Sequence, residues 1–192
     1  RQQTGRPDDR PRSTEPKQPM IDTPVFGITG WKNSGKTQLV ASLVAEFTAR
    51  GLKVSTVKHA HHGFDIDKPG TDSFRHREAG AVEVALVSGR RWALMHELKE
   101  EDEPPLEDVL ERLAPCDLIL IEGYKSEPHP KIEARRTEAS ERGPLAVSDP
   151  NILAIATDHD LPDEVLPVFH LDDIAAMANF IETHLGLKRP TT

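Results

Sequence analysis

The chain has 192 residues, 36% of them hydrophobic and 29% charged, and its 32 Asp and Glu against 24 Lys and Arg leave a formal net charge of −8. That length supports one sizeable core and is short for two independent domains, and the acidic balance argues against non-specific nucleic-acid binding, which needs a basic footprint. No apolar run approaches the roughly 18 residues of a membrane span, and the single cysteine, Cys116, rules out an intrachain disulfide and suits a reducing, cytoplasmic compartment.

Residues 1–19 contain no hydrophobic residue and four prolines, Pro7, Pro11, Pro16 and Pro19. Such a segment cannot bury enough surface to offset its ordering entropy, so residues 1–20 are expected to form a disordered tail. Met20 is expected to be the natural start, with the preceding residues an extension. One domain is expected over 21–188, with a frayed end at 189–192.

Pro24–Thr29 reads as a short buried strand. Lys36–Arg50 carries a helical stripe of Leu39, Val40, Leu43, Val44 and Phe47, stopped by Gly51. Lys53–Lys58 reads as a second strand and Thr71–Ala79 as a short helix. Val82–Val87 and Arg91–His96 flank Ser88-Gly89-Arg90, which predicts a hairpin. Trp92 and Met95 are expected to pack that hairpin. Leu106–Leu113 predicts a short acidic helix, Asp117–Ile121 and Ile152–Ala156 predict buried strands, and Leu166–Phe169 a further one. Asp172–Leu185 predicts a closing helix with Asp172 as its N-cap. Glu100–Glu103 reads as a solvated loop, and Cys116 as a small core residue. Apolar strands alternating with helices imply an α/β fold with a mainly parallel, twisted sheet flanked by helices, plus a β-hairpin extension.

Gly30-Trp31-Lys32-Asn33-Ser34-Gly35-Lys36-Thr37 matches G-x-x-x-x-G-K-[ST], the phosphate-binding loop, and sits between an apolar strand and an amphipathic helix. A loop entering a helix N-terminus presents unpaired N–H groups and the positive end of the helix dipole. Gly35 permits close approach of an anion, Lys36 supplies a point charge to the outer phosphates, and the Thr37 hydroxyl suits Mg²⁺. The motif does not reveal the base.

A magnesium site needs further oxygen ligands. Glu122 ends the DLILI strand at its C-terminal end, where ligand crevices of parallel sheets lie, whereas Asp117 begins it. Glu122 is therefore the preferred metal or water ligand; the alternative is an acid that caps a loop. The stretch Lys58–Gly70 concentrates His59, His61 and His62 with Asp65 and Asp67 beside the phosphate loop. It reads as a polar phosphate or substrate pocket, a zinc site or a solvated loop, with Asp65 or Asp67 in reach of Mg²⁺.

The phosphate loop, KHAHHGFDIDKPGTDS, RWALM, DLILIEGYK, PKIEARR and ILAIATD occur in an order that resembles the MobB family of molybdopterin-guanine dinucleotide biosynthesis adaptors, over about Pro24 to Leu187. The resemblance implies a P-loop NTPase-like fold and a homodimer that binds GTP and Mg²⁺. It implies a slow GTPase at most, assisting a MobA-type guanylyltransferase that attaches GMP to the molybdopterin cofactor. Carried over by position, Gly30, Trp31, Lys32, Asn33, Ser34, Gly35, Lys36, Thr37 and Gln38 would hold the phosphates. Lys36, Asp65 and Glu122 would serve catalysis, with Thr37, Glu122 and Asp65 around Mg²⁺. Thr157 and Asp158 occupy the place where relatives recognise the base, and the Asp158 carboxylate can accept from guanine N1 and N2. Lys58, His59, Asp67, Asp72, Arg75, Lys125 and Arg135 fall in matching blocks and face either the pterin-bearing partner or the dimer mate.

Three positions depart from the family pattern. Lys32-Asn33 stands where Ser-Gly is common, and Asn tolerates the positive φ that Gly would supply. Gln38 replaces a second Thr, and Thr71 replaces a Lys. A P-loop small-molecule kinase or ligase remains the alternative function, and a pure adaptor that uses nucleotide only as a conformational ligand is a third.

Overall fold

The structure is a computed structural model and describes residues 22–60, 64, 66–139 and 143–189. The expected tail over 1–20, and His61, His62 and Asp65, lie outside the described residues.

Six strands form one sheet in which every pairing is parallel: β1 (Val25–Thr29), β2 (Val54–Lys58), β5 (Leu118–Glu122), β6 (Lys131–Arg135), β7 (Ile152–Thr157) and β8 (Val168–His170). Their spatial order is β2-β5-β1-β6-β7-β8. The β3 (Glu83–Val87) and β4 (Trp92–His96) strands form a separate antiparallel hairpin, as the turn signal predicts. The helices are α1 (Lys36–Ala49), α2 (Asp72–Glu78), α3 (Leu106–Glu111) and α4 (Ile174–Leu185).

Both faces of the sheet are covered, which is why its strands read as continuous apolar runs. On one face Leu39, Leu43 and Phe47 of α1 and Met177 and Ile181 of α4 pack on Phe26, Ile28, Leu118, Leu120 and Ile132. Phe47 is fully buried, and its truncation to Ala would cost about 3–5 kcal/mol. Arg50 ties these helices together, donating to Glu46 on its own helix and to Glu182 on α4 at 2.7 and 2.8 Å. On the other face Leu106 and Leu110 of α3 pack on Val57, Ile119 and Ile121, with Cys116 and Tyr124 at the edge.

Three expectations need correction. β6 is absent from the predicted elements, yet it lies beside β1 in the middle of the sheet. Its sequence KIEAR looks solvated because alternate residues are charged, but Lys131 and Glu133 are both buried and both satisfied. Lys131 Nζ donates to Glu127 O and Asp149, and Glu133 accepts from the amides of Leu145 and Ala146 and from Arg135. The cap of α4 is Asp173, whose carboxylate accepts from Ala176 N at 3.2 Å, while its neighbour Asp172 is exposed. The helix begins at Ile174, so the residue just before its first turn is Asp173, one position later than the sequence suggests. Finally, Trp92 does not pack the hairpin: Val84 pairs with Met95 on the buried face, whereas Trp92 pairs with Val87 on the opposite face and is 72% exposed.

The C-terminal end is engaged as far as Arg189, whose guanidinium donates to both oxygens of Glu182. The acidic loop is engaged too, since Glu101 bonds His96 and Glu103 bonds His59.

Candidate nucleotide site

The loop from Gly30 to Thr37 joins the end of β1 to the start of α1. Its path needs three left-handed or otherwise positive-φ residues: Gly30 (φ 144°), Asn33 (65°) and Gly35 (88°). Asn33 thus adopts the conformation expected of it. A Cβ at Gly30 would stand 2.5 Å from Ala134 O and from Ser34 Oγ, so the position also needs the missing side chain for space. Gly35 caps α1 without offering a side-chain acceptor, and the first turn carries no acid. The helix N-terminus is therefore open to an external anion.

Lys36 Nζ folds back to donate to Trp31 O at 2.6 Å. Burial pushes its pKa down; Glu122 opposes this, and Lys125 and Lys58 add to it. An anion beside the ammonium would reverse that burial penalty.

The second part of the site comes from the neighbouring strands. Lys58 on β2 and Glu122 on β5 are register partners, and Glu122 also faces Ile28 of β1. This brings the Glu122 carboxylate to Thr37 Oγ1, which donates to it at 2.8 Å, and Lys58 Nζ lies 3.1 Å from the same carboxylate oxygen. A hydroxyl and a carboxylate side by side at the mouth of a phosphate loop fit the hard-oxygen preference of Mg²⁺, with phosphate and water oxygens completing its shell. Beyond this pair, no cluster of three or more His, Cys, Asp or Glu suited to a metal occurs among the described residues.

The other predicted residues take varied places. His59 Nε2 lies 2.8 Å from a Glu103 carboxylate oxygen, and its ring meets that of Tyr124 at a tilt. Lys125 lies 4.2 Å from the Trp31 ring centroid, a cation–π contact that covers the phosphate loop. Asp67 is turned inward, its two oxygens engaged by Arg77, and the Arg77 bond holds its pKa below the usual carboxylate range. Asp72 and Arg75 are exposed on α2. Thr71 caps that helix, accepting from Phe74 N and donating to Lys68 O, so the departure at this position has a structural role. Arg135 is paired on both arms, with Glu133 and Glu164 at 2.8 and 2.7 Å.

Thr157 is buried at the end of β7, and Asp158 follows it beside a cavity of about 500 Å³. Asp158 Oδ1 already accepts from Thr137 N and Oγ1 and pairs with His159 at 2.9 Å; the His159 bond, first among these, holds its pKa low. Only Oδ2 remains for a ligand.

One residue of this region, Arg136, was not legible beforehand. It follows β6 and lines the cavity over the N-terminus of α1. The available signal, its place after a strand beside β1, was hidden because β6 did not read as a strand.

The model of the family "Molybdopterin guanine dinucleotide synthesis protein B", MobB, matches residues 25–158. The molybdopterin-guanine dinucleotide biosynthesis adapter protein of Haemophilus influenzae is 42% identical over 164 residues, covering 84% of this chain and 89% of the relative. The Escherichia coli protein of the same description is 37% identical over 160 residues, covering 82% and 91%. Among solved structures, Bacillus subtilis MobB superposes with a TM-score of 0.67 at 27% identity over 84% of this chain and 98% of that one. The MobB homologue of Bacillus stearothermophilus gives 0.62 at 30% identity over 83% and 98%. The chain with this open phosphate loop and its Thr37–Glu122 corner belongs to the MobB family.

Proposed function

We propose that the protein is a cytoplasmic, GTP-binding adaptor with slow Mg²⁺-dependent hydrolysis, which assists the guanylylation of molybdopterin to its guanine dinucleotide form. The observation that carries this reading is the meeting of Thr37 and Glu122 beside the uncapped N-terminus of α1. The curated relatives are described as adapters of that biosynthesis. The amides of the loop and Lys36 would bind the phosphates, and Thr37 and Glu122 would hold Mg²⁺. Asp65, outside the described residues, is a third candidate ligand. Hydrolysis would run by in-line attack of water, with Lys36 and the metal stabilising charge on the phosphates. Asp158 would read guanine through Oδ2.

The partner in this reading is a MobA-type guanylyltransferase carrying the molybdopterin cofactor. Lys58, His59 and Lys125 cluster on the rim of the site, where such a partner would meet the bound nucleotide. Arg75 and Asp72, exposed on α2, would serve the dimer side. The homodimer would form through the outer face of the hairpin, where Val87, Trp92 and Leu94 are exposed.

The test is calorimetric titration of GTP and ATP, each with Mg²⁺, into the wild type and Lys36→Ala. Selective GTP binding that weakens more than about tenfold in the variant is the expected result, given the loss of a charge-assisted phosphate contact. Equal or tighter ATP binding would remove the base-reading role from Asp158 and favour a small-molecule kinase. Full GTP affinity in Lys36→Ala would overturn the phosphate-loop reading.

A further inference from the structure

Arg136 lies directly against the phosphate loop. A Cβ on Gly35 would stand 2.8 Å from Arg136 Nε and 3.0 Å from its Cζ, so only glycine allows the guanidinium this close to the loop backbone. The same side chain lines, with Asn33, Gly35, Lys36 and Gln38, a cavity of about 380 Å³ over the start of α1. Its Nε is buried and has no hydrogen-bond partner. Among the described residues Arg136 forms no ion pair, whereas Arg135, one residue earlier, is held by two carboxylates. A half-buried guanidinium with an orphaned donor, facing an open helix N-terminus, is a site short of an anion.

The sheet order decides which part of the nucleotide it meets. β5 and β6 flank β1 on opposite sides. β5 delivers Glu122 to Thr37, the corner suited to Mg²⁺ and hence to the outer phosphates. β6 delivers Arg136 to the opposite flank, beside Gly35 and Gln38. We propose that Arg136 binds the inner, α- and β-phosphates of the guanine nucleotide, and so holds GTP and GDP alike. This rests on the GTP-binding reading above. Arg136 is thereby a ground-state anchor on the diphosphate, distinct from an arginine that touches only the γ-phosphate in the transition state. Glu138 lines the same cavity and is exposed; its carboxylate opposes phosphate there, so its neutralisation should tighten binding.

The experiment titrates GTP and GDP, with Mg²⁺, into the wild type, Arg136→Ala, Arg136→Lys and Glu138→Gln, with circular dichroism to verify folding. In Arg136→Ala both nucleotides should bind roughly 10- to 100-fold more weakly, as for loss of a charge-assisted contact. Arg136→Lys should recover part of the loss, because the charge remains without the planar fork. Glu138→Gln should bind both a few-fold more tightly. A loss confined to GTP, or a collapse of turnover at unchanged affinity, would place the arginine on the γ-phosphate and overturn the assignment. Unchanged affinity in a folded Arg136→Ala overturns it too. If that variant does not fold, unchanged affinities in both Arg136→Lys and Glu138→Gln overturn it. A wild type that binds neither nucleotide would instead sink the GTP reading itself.

Discussion

Thr37 Oγ1 donates to Glu122 Oε1 across 2.8 Å, though 85 positions separate the two residues in the chain. The hydroxyl belongs to the first turn of α1 and the carboxylate to the last residue of β5, and the parallel pairing of β5 with β1 makes them neighbours. Lys58 completes the corner from β2. Its ammonium, 3.1 Å from the carboxylate, balances the Glu122 charge, so a cation bound at this corner would have to displace or outcompete it.

If this corner holds Mg²⁺, Glu122→Gln removes the anionic ligand and keeps the shape. The gain in GTP affinity on adding Mg²⁺ should fall by about tenfold or more relative to wild type, while metal-free binding stays level or improves. Titrations with Mg²⁺ and with chelator measure this ratio directly. The same Mg²⁺ enhancement in both proteins would move the metal away from Glu122.

Acid should weaken the fold through His129. Its ring packs against Gly27 in β1, and both ring nitrogens are buried without hydrogen-bond partners. Burial pushes its pKa from the ordinary 6.5 to about 4; Lys131 adds to the shift and Asp149 opposes it. Between those two values the unfolded chain binds a proton that the folded chain refuses, so the contribution is fully present above pH 6.5 and is lost as pH falls toward 4. Urea melts between pH 7 and 4.5 should show a steeper decline for the wild type than for His129→Gln. Parallel curves would show that His129 carries none of it.

The hairpin offers an oligomerisation test. Trp92 and Val87 are cross-strand partners at 72% and 79% exposure, with Leu94 beside them at 51%, an apolar surface that a lone chain would not normally leave in water. If two copies of the chain pair through this face, Trp92→Ser combined with Leu94→Ser should raise the dissociation constant of that pair about 30-fold or more, in line with loss of an aromatic anchor. Sedimentation over a concentration series reads this out, and nucleotide affinity should be unchanged. An unaltered dimer would put the interface elsewhere on the surface.

What could be read before folding is what depends on neighbours in the chain. The phosphate loop is eight consecutive residues, and its Gly, Asn and Lys act through local backbone conformation and a helix that starts within the same stretch. The stripe of α1, the hairpin turn and the runs of β1, β5 and β7 are likewise periodicities of contiguous sequence. The acid at the end of β5 could be named because parallel sheets place strand C-termini at the ligand crevice.

Tertiary structure decided everything that rests on partners far along the chain. KIEAR becomes a central strand because Asp149, Arg135 and the amides of Leu145 and Ala146 satisfy its buried charges, and no periodicity announces those partners. Proximity in sequence puts Asp67 among the acids that could reach Mg²⁺, but Arg77 turns it inward. Asp158 proved half-engaged, because β6 brings Thr137 to it. Arg136 reaches the phosphate loop for the same reason: the strand that carries it lies beside β1. Local pattern fixes which backbone conformations are cheap, but which charges meet depends on strand order, and strand order is set by burial across the whole sheet.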